Sequence, residues 1–153
     1  MKIRRLEKRD YIELVQLFEE LGYPTTYEEI LDRFEKINKH EEYTSLVAVL
    51  NDKVVGFSGL CKLYYFEMAG TYTRILAFVI SSEVRKQGIG TRLLLASEKW
   101  AKEEGCIGIA LNSGNRQERE VAHLFYKANG YQAKSTGFSK VISIWYKEDS
   151  VSE

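Results

Sequence analysis

Apolar residues along this chain change their spacing several times, and each change marks an element. Residues 2–6 read as a short opening strand. Leu14, Leu17, Phe18 and Leu21 then share one helical stripe, with Asp10 in the N-cap position and Glu13 three residues on as its capping-box partner. Gly22 stops that helix and Pro24 blocks its continuation. Thr26 and Glu29 form a second capping box, opening a helix whose Ile30, Phe34 and Ile37 lie on one face. Residues 46–50 read as a strand, Asn51 and Asp52 as a hairpin turn, and 54–66 as the partner strand. Within it, Gly56 and Gly59 predict a bulge or a bend. A loop over 67–70 returns the chain to the sheet around Tyr72.

The run 75–80 is apolar and partly β-branched, the pattern of a buried strand. It ends in the polar turn Ser81, Ser82, Glu83, after which Arg85, Gly88 and Gly90 lead into a helix. Ile89, Leu93, Ala96 and Trp100 form its apolar stripe, and Gly105 ends it. Residues 106–111 are the next strand, and a helical connection between two strands makes them parallel. Asn115 and Glu118 predict a further capped helix that runs to Asn129 and closes at Gly130. Residues 131–133 and 140–146 are expected as a final antiparallel pair, with only the last few residues frayed.

Composition narrows the function more than the fold. The chain has 153 residues, a length that predicts a single domain over 1–153 with a sizeable core. Its formal net charge is zero, which favours neither nucleic acid nor an anionic membrane as partner. Cys61 and Cys106 are isolated in or beside apolar stretches, where a buried reduced thiol is expected rather than a nucleophile. His40 and His123 lack metal-like spacing, so no metal is expected. There is neither a signal-peptide pattern after Met1 nor an apolar run of about 20 residues, and a cytoplasmic location is expected.

Strand, glycine loop and helix start together make an anion site. The first turn of a helix has amides without intrahelical partners, and its dipole adds to their pull on phosphate. Glycine at 88 and 90 lets a diphosphate approach that backbone. A Walker loop would need Gly-Lys-Ser/Thr, which does not occur, and the dinucleotide pattern would need a glycine where Leu93 stands. What remains is Arg85-x-x-Gly88-x-Gly90 after a strand, with Ala122-His123-x-Phe125-Tyr126 and Gly130-Tyr131 downstream. In that order, across nearly the whole chain, these features resemble the GNAT acetyltransferases (Gcn5-related N-acetyltransferases). The resemblance implies an α/β (α+β) fold: a mixed, mostly antiparallel central sheet with one parallel β-α-β cofactor unit and helices on both faces. It also implies acetyl-CoA as co-substrate and a primary amine of a small molecule as acceptor.

Carried over residue by residue, the resemblance assigns Phe78, Val79 and Ile80 to the pantetheine arm, which pairs with their backbone like an added strand. Side chains of these residues would serve the core in either case. Arg85, Lys86, Gln87, Gly88, Ile89, Gly90 and Thr91 map onto the pyrophosphate contacts, mostly through backbone N–H groups, and Arg85 and Lys86 add positive charge. Tyr126 maps onto the general acid; a phenol with pKa near 10 is neutral at pH 7 and donates to a departing thiolate. A plain core tyrosine is the competing reading. Arg119, Ala122 and Tyr126 share a helix face. Relatives often carry Asn at position 119, so Arg119 reaches either pantetheine or phosphate. His123 reads as a packed histidine rather than a base.

A general base is the missing part. An ammonium must lose its proton before attack, at a cost of about 4–5 kcal/mol at pH 7. Relatives often place a glutamate on the cofactor strand where this chain has Ala77. Glu67, or water passing Tyr64, Tyr65 or Tyr72, is left as a substitute. Tyr23, Tyr27, Tyr64, Tyr65 and Phe66 are expected to line the acceptor groove. The segment 111–131 is similar to that of the aminoalkylphosphonate acetyltransferases, and Lys62 and Arg74 are the cations available for a phosphonate. Two alternatives stand beside small-molecule acetylation: a protein or peptide amine as acceptor, and an acyl-CoA-binding sensor without catalysis. Oligomeric state is open, a homodimer included.

Overall fold

The computed structural model describes residues 1–113 and 120–143. By its internal contacts the chain forms two compact units, Met1–Leu111 and Asn112–Glu153, each described by itself. In the first the order is β1 (Lys2–Arg5), α1 (Tyr11–Leu21), α2 (Tyr27–Ile37), β2 (Tyr43–Leu50), β3 (Lys53–Tyr64), β4 (Thr71–Ile80), α3 (Ile89–Glu103) and β5 (Gly108–Leu111). The strands lie side by side in chain order. β1 to β4 are antiparallel and β5 runs parallel to β4, so the expected mixed sheet with one β-α-β unit is present.

Local chemistry sets the joints. The Thr26–Glu29 box forms as the spacing requires: Glu29 N–H donates to Thr26 Oγ1 at 3.2 Å, and Thr26 N–H to Glu29 Oε1 at 2.9 Å. Gly22 adopts φ 105° and ends α1 in the left-handed region, where a Cβ is disfavoured. Asn51 and Asp52 both take positive φ, as a tight two-residue hairpin demands. One capping expectation is corrected. Asp10 does not cap α1; its carboxylate accepts from Arg4 at 2.7 and 2.9 Å and from Glu7 N–H at 2.8 Å. A guanidinium offers two charged donors in a fork, and that outcompetes the first amides of a helix. The Arg4 hydrogen bonds hold the Asp10 carboxyl below the usual carboxylate range. Glu13, expected as the box partner, instead accepts from Val54 N–H at 2.8 Å and ties α1 to the start of β3.

The sheet has two differently built faces. On one, α1 and α2 lay Tyr11, Leu14, Leu17, Phe18, Ile30 and Phe34 over Val47, Val54, Phe57 and Val79. Rings of Phe18 and Phe34 meet Phe57 edge-on at 5.2 and 6.2 Å. On the other face α3 sits close, because the residues beneath it are small. A Cβ at Gly56 would fall 2.9 Å from Ile80 Cδ1 and 3.3 Å from Leu93 Cδ2. Ser58 and Ser97 are fully buried there and hydrogen-bonded at 2.8 Å, with Ser97 donating to Leu93 O at 2.9 Å. Helices therefore cover both faces, as expected.

Both strand glycines sit at irregularities. Ala48 pairs with Gly56 and Val49 with Val54, which leaves Val55 as an extra residue. Gly59 pairs with Ala77 and Leu60 with Ile75, which leaves Leu76 as an extra residue on β4. In the second unit α4 spans Glu120–Ala128 and closes through Gly130 at φ 91°. The strand expected at 131–133 is absent. Tyr131 N–H donates instead to Tyr126 O at 3.0 Å, completing the helix end, and its ring lies 5.9 Å from that of Tyr126. A residue used for that closure has no free amide for a ladder. Residues 140–143 are likewise not strand. The cap predicted at Asn115 and Glu118, and residues 144–146 of the last expected strand, lie outside the described residues.

Candidate functional site

β4 is two strands in one. From Tyr72 to Ile75 it pairs with β3 on one side and β5 on the other; the last parallel pair is Ile75 with Leu111. Leu76, the bulged residue, follows at once and is 53% exposed. A bulge bends its strand and breaks the ladder. Beyond it, Ala77 to Ile80 keep only β3, and among the described residues no strand pairs with their other edge. Their side chains are occupied: Val79 packs under α1 and α2, Phe78 is in register with Ser58 on the α3 face, and Ile80 packs against Ala48, Val55 and Ile89. An extended ligand adds as a strand where a sheet edge has no neighbouring strand.

This end of β4 runs straight into the glycine loop. Ser81 N–H donates to Val55 O at 2.8 Å, and a short 3-10 turn follows over Ser82–Val84. Arg85 is extended, and its Nε donates to Ile80 O at 3.2 Å, folding the guanidinium back over the strand end. Lys86 and Gly88 both take positive φ, 68° and 78°. Gly88 is the N-cap of α3, and a Cβ there would meet no atom within 4 Å. Arg85, Lys86, Gln87 and Gly88 are exposed, while Ile89 is 4% exposed and pins the helix start; Gly90 and Thr91 are half-buried in the first turn. No acidic residue stands in that turn, so its amides and dipole face no local carboxylate.

Glu20 has no sequence signal for what it does. Its Oε1 accepts from Ser82 N–H at 3.0 Å across 62 positions, tying the last turn of α1 to the mouth of the loop. Such a contact depends on which helix lies beside which strand end, and periodicity does not carry that. Next to it is a cavity of about 210 Å³ lined by Glu13, Glu20, Glu83 and Lys53 among others. It lies on the β3 side of β4, and its three carboxylates would repel a diphosphate.

Candidates for the base and groove are scattered. Glu67, Tyr64 and Phe66 stand at or beside the β3–β4 hairpin tip, and Phe66 is fully exposed. From Ala77 back to Thr71 is about 20 Å along the strand, so Glu67 stands too far off to serve a reaction beside Ala77. Tyr65 stacks on Tyr72 at 4.6 Å, and Tyr27 packs against the core on the α1–α2 face. The five aromatics expected as a groove lining do not form one wall. Cys61 is buried, and burial followed by the charge of Glu42 pushes its thiol up, away from nucleophilic use. Among the described residues no group of three His, Cys, Asp or Glu gathers as a metal site. No helix among them is long and apolar enough to cross a membrane.

In the second unit, Tyr126 lies on α4, half-buried, with its ring against Phe125 at 5.3 Å and Tyr131. His123 and Ala122 on the same helix are also half-buried. Arg119 lies outside the described residues.

The sequence profile described as the Acetyltransferase (GNAT) family matches residues 3–131. A crystal structure of a GNAT family acetyltransferase from Staphylococcus aureus is similar with TM-score 0.81 and 39% identity, over 92% of this chain and 98% of that one. Glucosamine-6-phosphate N-acetyltransferase from Arabidopsis thaliana is similar with TM-score 0.78 and 25% identity, over 93% and 98%. Aminoalkylphosphonate N-acetyltransferase from Salmonella typhimurium is 29% identical over 96 residues, which are 63% of this chain and 61% of that protein. With a profile match over most of its length and the fold of solved members, this chain belongs to the GNAT acetyltransferase family.

Proposed function

We propose that this protein is a cytoplasmic acetyl-CoA-dependent N-acetyltransferase acting on a primary amine of a small molecule. The observation that carries the reading is β4, which pairs with β5 only as far as Ile75 and then leads through two positive-φ residues, Lys86 and Gly88, into a helix whose first turn holds no acidic residue. Pantetheine would add to the edge at Phe78, Val79 and Ile80. The diphosphate would sit on the amides of Arg85 to Thr91, with the Arg85 and Lys86 charges at its rim. Arg119 would add a further contact to pantetheine or phosphate.

Reaction follows direct attack in a ternary complex. The neutral amine nitrogen forms a bond to the thioester carbon, the C–S bond breaks, and its electron pair goes to sulfur. One proton leaves the nitrogen and one is delivered to the thiolate by Tyr126. A strand amide near the bulge would donate to the carbonyl oxygen as charge develops there. With Ala77 in place of a carboxylate, the nitrogen's proton leaves to water. Two of the similar proteins are named for small amine acceptors, and that supports a small molecule over a peptide.

Acetyl transfer to a broad amine panel tests the reading, and Tyr126→Phe tests the acid. We expect kcat to fall about 100-fold or more with little change in coenzyme A affinity. Tight acetyl-CoA binding without transfer to any amine would leave a sensor, and an unchanged kcat would remove Tyr126 from the acid role.

A further inference from the structure

We propose that Arg74 selects the acceptor, fixing amines that also carry an oxyanion such as a carboxylate, phosphate or phosphonate. This rests on the acetyl-transfer reading and names the substrate class of that site. Arg74 lies mid-strand in β4, paired to Cys61 of β3 on one side and to Ala110 of β5 on the other. The residues before and after it, Thr73 and Ile75, are buried. Both point to the α3 side: Thr73 Oγ1 donates to Cys106 Sγ just past α3, and Ile75 is in register with Leu60, two residues after Ser58, which bonds Ser97 of α3. Alternation therefore turns Arg74 to the opposite face, the one shared with α1 and α2.

A half-buried guanidinium on a central strand is an unusual thing to leave unpaired. Such a group is costly to desolvate without an acceptor. Elsewhere in this unit the partly buried cations are committed. Arg4 grips Asp10, and Lys62 Nζ donates to Glu104 O at 2.8 Å at the end of α3. Arg74 has no ion pair and no side-chain hydrogen bond among the described residues. Its lateral neighbours, Cys61 and Ala110, are too short to cover it, and Gly108 and Tyr72 form the next row. The Tyr65–Tyr72 stack stands on that side as a wall. With Leu76 bulged out, Ala77 is two ladder steps beyond Arg74, about 7 Å along the sheet. An arginine side chain spans that interval. An acceptor whose nitrogen and oxyanion are separated by a few bonds would put one at the thioester and the other in the guanidinium fork. Lys62, the other cation the sequence offered, faces α3 and is already used.

Steady-state kinetics with matched amines separates the possibilities. The set is 2-aminoethylphosphonate, 2-aminoethyl phosphate, β-alanine and neutral propylamine, with wild type, Arg74→Lys and Arg74→Met. Expected is a preference of about thirtyfold or more in kcat/KM for the best acid-bearing amine over propylamine, carried by the acceptor KM. Arg74→Met should collapse that ratio to near one without moving the KM for acetyl-CoA, and Arg74→Lys should keep part of it. The ranking of the three oxyanions tells which acid is native. An unchanged ratio in a folded Arg74→Met protein overturns the proposal. If no amine is acetylated although acetyl-CoA binds, the acetyl-transfer reading fails separately. Calorimetric titration of 2-aminoethylphosphonate with coenzyme A present then decides for Arg74: binding lost in Arg74→Met supports it, and equal binding, or none to wild type, overturns it.

Discussion

The two halves of β4 differ in composition, the first mostly polar and the second wholly apolar, and they differ in pairing too. From Thr71 to Ile75 the strand is laced on both sides, and every second residue is buried under α3. Beyond Leu76, Ala77, Val79 and Ile80 still pack against the core, yet among the described residues no strand pairs with the second edge. The difference comes from one inserted residue. Leu76 falls immediately after the last rung to β5, so the strand bends away at the point where the neighbour ends. Pairing makes the first half structural, and the second half is where we propose that the coenzyme binds.

Three changes would break or sharpen that contrast. Ile75→Ala removes a buried side chain from the fully laced half and should cost about 2–5 kcal/mol of stability, read as a fall in Tm or in the denaturant midpoint. Coenzyme A affinity of the folded fraction should stay the same; a selective loss of affinity would mean the halves are not separate. Deleting Leu76 is the reverse experiment. Leu60–Ile75 and Gly59–Ala77 become consecutive rungs and no side chain changes face, so the fold should survive. Coenzyme A binding should weaken about tenfold or more, because the strand no longer turns its edge outward. Unchanged affinity in a calorimetric titration would remove the bulge from the site. Gly88→Ala is the mildest. A Cβ meets no protein atom there, so only the positive φ is charged against it, about 1 kcal/mol of stability. If coenzyme A affinity falls well beyond that figure, the added methyl stands where the diphosphate sits.

How much of this was legible in the sequence depends on range. Caps and turns set by residues within four positions were read correctly at Thr26–Glu29, Gly22, Asn51–Asp52 and Gly130, since the chemistry that decides them is local. Asp10 failed because Arg4, on a neighbouring strand end, offered its carboxylate better donors than the helix did. The glycine loop could be located from Gly88 and Gly90, but not the positive φ of Lys86, a residue type that seldom adopts it. Gly59 signalled an irregularity, whereas the extra residue proved to be Leu76 on the partner strand, because a bulge belongs to a pair and not to one sequence. Glu20 on Ser82 was invisible for the same reason. Among the aromatics at 64–66, Tyr65 stacks on Tyr72, whereas Tyr64 and Phe66 stand exposed at the hairpin tip, a division that depends on the direction of the hairpin.

The Ser58–Ser97 pair sets the rotational setting of α3. An interface of small apolar groups grips a helix closely but tolerates rolling about its axis, since one methyl replaces another at little cost. Two sequestered hydroxyls that bond each other across the interface do not. They index the helix like a key in a slot, and a roll of even one residue would point its leading amides away from the end of β4.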